Sequence, residues 1–334
     1  MEAVKQIVSN IRAGNTKPIY FLMGEEPYYI DAIADYIAQH VLAEEEKGFN
    51  QMVLYGRDVR IDDIISHAKR FPMMAEKQVV IVKEAQELSR SIEKLESYAA
   101  QPQPSTVLVL CYKYKTLDKR KKLYKTIRKH GELFESKKLY DNQVPDWIRK
   151  VLAGKQYKIT PKAAEMLVEF LGTDLGKINN ELQKLQLVLP KGSEITPLHV
   201  EANIGISKDF NNFELRKAIG ERQVVKANRI INYFAQNPKD NPTVVTISLL
   251  FNFFSQLLTY HALADKSQFS AAKALKVNPY FVKEYQLAAR NYPMKKVSQV
   301  IALLRDADMK SKGVGATNLP QGDLLKEVVF KVLH

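Results

Sequence analysis

At 334 residues, 46% of them hydrophobic, the chain is long enough for two or three domains of ordinary size, and no apolar run approaches the roughly 20 residues of a membrane span. Its single cysteine, Cys111, excludes an internal disulfide and suits a reducing cytoplasm. The net charge of +13 is regional, −4 over residues 1–100, +8 over 101–140, zero over 141–210 and +9 over 211–334, which points to a polyanion met by one part of the molecule.

MEAVKQIVSNIRAG reads as an amphipathic helix without the continuous apolar core of a signal peptide, and a soluble protein is expected. Apolar β-rich runs follow at Ile19–Met23, Gln51–Tyr55, Gln78–Val82 and Thr106–Cys111, with a weaker one at Glu132–Ser136. Helical periodicity separates them, which predicts a parallel sheet covered by helices. After the first run stand Gly24, Glu25, Glu26 and Pro27, where many nucleotide-binding proteins carry the phosphate loop G-x-x-x-x-G-K-[ST]. Asp62 and Asp63 mark a helix start, where carboxylates complement the dipole.

From Asn142 strand signals nearly vanish. Trp147 to Leu189 reads as three helices, with Thr160 capping the second ahead of Pro161 and Gly172 closing it. A turn at Pro190–Pro197 leads to another short helix. Beyond Phe210 the pattern is helical, broken at Asn237–Pro242, at Asn278–Pro279, at Tyr292–Pro293 and by a loop from Gly313 to Gly322. The stripe from Val244 to Leu263 carries apolar residues beyond one helical face, which predicts burial on several sides and a surplus for subunit contacts. Three domains are expected: α/β over 1–140, a small helical domain over 141–209 and a larger helical one over 210–334.

Catalytic signatures are missing. There is no G-x-S-x-G elbow, Cys111 ends a run that reads as core, and the six histidines show no metal-ligand spacing. The G-x-G at Gly313–Gly315 follows no strand and reads as a loop.

The opening strand and loop, QVVIVKEAQEL (Gln78–Leu88), STVLVLCYKYKTLDKRKKLYKTI (Ser105–Ile127), LGTDLGKINNELQKL (Leu171–Leu185) and the closing DADMKSKGVGATNLPQGDLLKEVVFKV together resemble the delta subunit family of bacterial DNA polymerase III. That family supplies the clamp-opening member of the sliding-clamp loader. The resemblance runs through nearly the whole chain and implies a degenerate AAA+ module: a P-loop-like α/β domain, an all-α lid and an all-α collar that joins subunits in a ring. The implied partners are the beta sliding clamp, the gamma/tau and delta prime subunits, and primer-template DNA, with no membrane and a cytoplasmic location. It also implies a subunit of a nucleotidyltransferase complex without an active site, cofactor or metal of its own. Cradling a triphosphate needs glycine N–H groups, a Lys and a hydroxyl for Mg²⁺. Here Glu25 and Glu26 would repel one, Lys83 and Glu84 stand where active relatives place an Asp-Glu pair, and Gly176 stands at the phosphate-sensing Arg position.

In AKRFPMMAEKQ the resemblance places the clamp-binding wedge, with Phe71, Met73 and Met74 as its apolar residues and Pro72 stiffening it. Their pattern alone favours packing under the sheet, whereas an aromatic and two thioethers can also fill an irregular pocket on a partner. Between Lys113 and Lys129 nine basic residues face one acid. Lys119, Arg120, Lys121 and Lys122 are consecutive and would point around most of a helix; some of them, with Lys125, can reach DNA phosphates, or form a solvated face. Two other readings compete: an active nucleotide-dependent motor, which the absent phosphate loop opposes, and a stand-alone nucleic-acid-binding protein, supported by charge but by no recognition motif.

Overall fold

The computed structural model describes residues 2–205, 207, 209–315 and 320–334. It divides into two compact units, one ending at Leu139 and one beginning at Tyr140. The first contains α1 (Glu2–Arg12), β1 (Ile19–Gly24), α2 (Pro27–His40), α3 (Glu44–Asn50), β2 (Gln51–Tyr55), α4 (Ile61–Ala68), β3 (Gln78–Lys83), α5 (Glu96–Ala100), β4 (Thr106–Lys113), α6 (Lys122–His130) and β5 (Glu132–Ser136). All five strands pair in parallel in the order β2-β3-β4-β1-β5. Each β-rich run of the sequence is therefore a strand, with three of them extending one or two residues further than their apolar stretch.

β1 is buried along its whole length and β4 along all but its last residue. That follows from helices on both faces of a parallel sheet. Ile19, Phe21, Met23, Val80, Val82, Leu108 and Leu110 meet Ile61, Ile64, Leu95, Leu123 and Ile127 on one face. On the other, α2 brings its buried Ile30, Ile33 and Ile37 against β1, β3 and β4. Cys111 is core, its thiol pushed up to about 12 by burial. β2, at the edge, is only half-buried.

The second unit contains α7 (Val144–Ala153), β6 (Lys158–Ile159), α8 (Pro161–Leu171), α9 (Leu175–Val188), β7 (Glu194–Ile195), α10 (Pro197–Ile204), α11 (Asn212–Gly220), α12 (Val224–Gln236), α13 (Thr243–Ala262), α14 (Gln268–Leu275), α15 (Val282–Asn291), α16 (Met294–Ser311) and α17 (Gln321–Leu333). Thr160 caps α8 by accepting the Ala163 N–H, as its position ahead of Pro161 predicted. The two-residue parallel ladder of β6 with β7 was not foreseen, because two residues carry no period. Part of the expected Gly313–Gly322 loop, 316–319, lies outside the described residues.

Against the expectation that no apolar run approaches a membrane span, α13 is long and apolar enough to cross one by length and composition. In the structure it is the core helix of the second unit, with Ile247, Leu250, Phe253, Phe254 and Leu257 buried against α16 and its neighbours. Val244, Val245 and Phe251 stay exposed, so a surplus beyond its own core exists.

α8 and α11 are fastened by polar contacts. Lys162 and Lys226 both pair with the buried Glu214 carboxylate. Glu169 accepts the Asn212 N–H at 2.7 Å and borders a cavity of about 700 Å³ shared with Arg216, Thr246 and Tyr285. Burial pushes the Glu169 carboxyl up to about 7, from an ordinary value of 4.5. The folded chain thus holds an extra proton between those values. Stability from this group is complete below pH 4.5 and is lost as pH rises through about 7. Glu169→Gln keeps the acceptor and removes the charge. We expect its unfolding midpoint to match the native chain at pH 5 and to exceed it by about 2–4 °C at pH 8, measured by circular dichroism; equal midpoints at both pH values would contradict the shift.

Candidate functional site

The segment between α4 and β3 is anchored at its base and bare at its tip. The Ala68 carbonyl that ends α4 accepts from the Thr106 hydroxyl at 2.8 Å and from the Tyr98 hydroxyl at 3.3 Å. The buried Gln78 side chain donates to Thr106 Oγ1 at 2.8 Å and to the carbonyls of His67 and Arg70. Midway, Asn50 accepts the Met73 N–H at 2.7 Å and donates to the Met73 carbonyl at 2.9 Å. Between these ties Phe71 is 78% exposed, Met73 61% exposed and Met74 fully so. The core alternative that their pattern favoured is not realised. The β-rich run after them begins at Gln78, whose side chain closes the loop instead of continuing an apolar stripe.

Met74 has a φ of 53°, a left-handed conformation without glycine that costs on the order of 1 kcal/mol. A loop with free ends would relax it. This one turns there because both of its flanks are tied.

At the opposite end of the sheet, the turn after β1 has its amides already engaged. The Glu25 N–H donates to the Ser136 carbonyl at 3.2 Å and the Glu26 N–H to the Ser136 hydroxyl at 3.2 Å. The Glu26 carboxylate caps α2 by accepting the Tyr28 N–H. Close by, Lys113 at the end of β4 pairs with Asp31 and with Glu84, each at 2.9 Å, and Lys83 pairs with Asp35 at 3.8 Å. Burial pulls the Lys113 ammonium down, but hydrogen bonds to Glu84 and Asp31 outweigh it and hold its pKa above the ordinary lysine value. The carboxyl ends of parallel strands are where this architecture binds nucleotides. Here an internal ion network occupies them. Gly176 lies in the first turn of α9 and offers no side chain.

The basic run needs correction. Lys119, Arg120 and Lys121 do not wrap around a helix: they form the turn ahead of α6, with Lys121 its N-cap, and the helix begins at Lys122 and carries Lys125, Arg128 and Lys129. The cause is Asp118, whose carboxylate accepts the Arg120 N–H at 3.0 Å and builds the turn; Arg120 holds that carboxyl down to about 2. Lys119 pairs with Glu135 at 3.2 Å, Arg120 with Asp118 at 2.9 Å and Lys122 with Glu96 at 3.0 Å. Lys121 and Lys125 are in no ion pair among the described residues. Beside this stretch Tyr112 is core, tilted against Phe21, while Tyr114 is exposed.

Asn50, Gln78, Thr106 and Ser136 were not anticipated. Each acts on a partner far away in sequence, and nothing local in the chain marks it.

The family model for the DNA polymerase III delta subunit matches residues 20–137, and that for its C-terminal domain matches 209–319. DNA polymerase III subunit delta of Bacillus subtilis (strain 168) is 31% identical over 319 residues, 92% of either chain. The chain belongs to the DNA polymerase III delta subunit family. A solved structure of the Bacillus subtilis DNA clamp loader delta protein is 27% identical, covers 99% of both chains and superposes with a TM-score of 0.54. The projecting loop and the Ser136 plug both lie inside the first matched region of this delta-family chain.

Gly24 has a φ of 125°, and a Cβ there would stand 2.1 Å from the Ser136 carbonyl oxygen. Gly24→Ala is expected to destabilise the chain by about 3 kcal/mol, read as a lower urea midpoint. An unchanged midpoint would mean that β5 does not close this turn.

Proposed function

We propose that this chain is the delta subunit of a DNA polymerase III clamp loader, which binds the beta sliding clamp through Phe71, Met73 and Met74 and favours its opened ring. The observation that carries the reading is a loop pinned at its base and middle that holds three large apolar side chains in water. Residues 1–140 act as the clamp-binding module, 141–209 as a lid and 210–334 as a collar toward gamma/tau and delta prime, with Val244, Val245 and Phe251 as part of the contact surface. Primer-template DNA passes the basic turn, where Lys121 and Lys125 are free to meet phosphates and Lys119, Arg120 and Lys122 can exchange weak surface pairs for them. The protein works in the cytoplasm.

Opening needs no chemistry in this subunit. A ligand that binds the open ring more tightly than the closed one shifts the population toward it. Nucleotide hydrolysis then belongs to neighbouring subunits, since the amides after β1 are bound to Ser136 and the strand ends carry Lys113, Asp31 and Glu84.

Surface plasmon resonance of the full chain on its cognate clamp tests the reading. The Met73→Ala, Met74→Ala double variant is expected to weaken binding by about a hundredfold with its unfolding midpoint unchanged. Equal binding would remove the loop from the contact, and no binding by the native chain would remove the delta function. The charge of the turn leaves room for a nucleic-acid-binding protein acting alone. Clamp binding that persists at high salt separates the two, because phosphate contacts weaken steeply while apolar ones do not.

A further inference from the structure

Asn50 uses its whole side chain. It is the last residue of α3 and is 5% exposed. Its amide nitrogen donates to the Glu46 carbonyl in its own helix at 3.2 Å and to the Met73 carbonyl, while its oxygen takes the Met73 N–H. Those bonds use both amide hydrogens and an oxygen lone pair. The side chain therefore imitates a neighbouring backbone strand for one residue, and that residue lies between Phe71 and Met74. The loop is already closed at its base through Ala68, Arg70 and Gln78, so the Asn50 bonds act on the tip.

The residue before Asn50 is Phe49, 78% exposed at the end of α3. α3 leads into β2, the loop leads into β3, and Thr106 opens β4. All three therefore meet at the amino edge of the parallel sheet, away from the Ser136 plug. An aromatic in water on one segment and an aromatic with two thioethers on the other are joined by a single amide.

We propose that Asn50 is a positioning residue for the clamp contact, fixing the Met73 backbone in the bound conformation, and that Phe49 is a further contact residue on the same face. The proposal rests on the wedge reading above and adds to it how the wedge is held and how far it extends. Each loop residue that must be ordered on binding weakens affinity by about tenfold, and a tip ordered in advance avoids that loss.

Clamp binding by the full chain is measured for Asn50→Ala, Asn50→Asp, Phe49→Ala and the Met73→Ala, Met74→Ala control. Phe49→Ala is expected to weaken binding by about tenfold at an unchanged unfolding midpoint, since the ring is largely in water. Asn50→Ala is expected to weaken it by about tenfold, chiefly through slower association, with faster hydrogen exchange at the Met73 amide. Added to the Met73→Ala, Met74→Ala background it should have no further effect, because it acts through those side chains. Asn50→Asp keeps the acceptor but sets a carboxylate oxygen against the Glu46 and Met73 carbonyls, so it should weaken binding at least as much as Asn50→Ala. If neither folds, slower hydrogen exchange at the Met73 amide than at the Met74 amide of the native chain supports the tie, and equal exchange overturns it. Asn50 and Phe49 variants within twofold of native, while the methionine control loses binding, would overturn the inference and leave the reading intact. A methionine control that binds like native would overturn the reading itself.

Discussion

Five parallel strands fix where everything else can stand. Because β1 and β4 are buried on both faces, their helices must cross over, and every strand presents its carboxyl end on one edge of the sheet and its amino end on the other. The two edges have opposite fates here. The carboxyl edge is closed by Ser136 and by the Lys113–Asp31–Glu84 network. The amino edge carries the loop tied by Asn50, Gln78 and Thr106.

The Gln78, Thr106 and Ser136 side chains that hold the two edges are each hydrogen-bonded, which is the condition under which such groups stabilise rather than weaken a fold. Gln78 and Thr106 show the arrangement. Each is a polar residue that opens a strand whose next four residues are Val, Ile or Leu, and together they donate to carbonyls at and after the end of α4. Replacing Gln78 with an aliphatic residue would fill the space but take away the donor of the Arg70 carbonyl, at roughly 1–3 kcal/mol for an unsatisfied group. The exposed tip is therefore maintained by the buried base, and the base is maintained by the sheet.

The sheet and the helical order were legible because they rest on periodicity. Gln51–Tyr55 and Glu132–Ser136 are strands with the bounds their residues suggested, and Thr160 with Pro161 marked the start of α8 correctly. What failed was read from runs without their turns. Lys119–Lys122 read as pointing around most of a helix, but Asp118 bends the chain before Lys122, and a single acid in nine basic residues was the signal for it. Phe71, Met73 and Met74 had opposite readings from pattern and from resemblance. The deciding contacts, Asn50 to Met73 and Gln78 to Thr106, depend on which strands are neighbours, and that is known only once the order β2-β3-β4 is known.

A subunit that opens a ring by binding alone is limited by how much binding energy differs between the two ring states. Moving a population from 1:99 to 99:1 takes about 5.5 kcal/mol of differential affinity. Burying three large apolar side chains supplies about 1.5–3 kcal/mol each, about 4.5–9 in all, so on the proposed wedge reading the margin is small at best. Ordering three free loop residues would cost about 1–2 kcal/mol apiece, about 3–6 in all, enough to remove it. On that reading the polar clips at the amino edge are what keep it, because they hold the loop in the folded chain before any partner arrives. On this argument the rigidity of the Asn50–Met73 tie and the exposure of the side chains beside it are two halves of one requirement, and a chain with the same apolar residues on a loose loop could bind a ring without opening it.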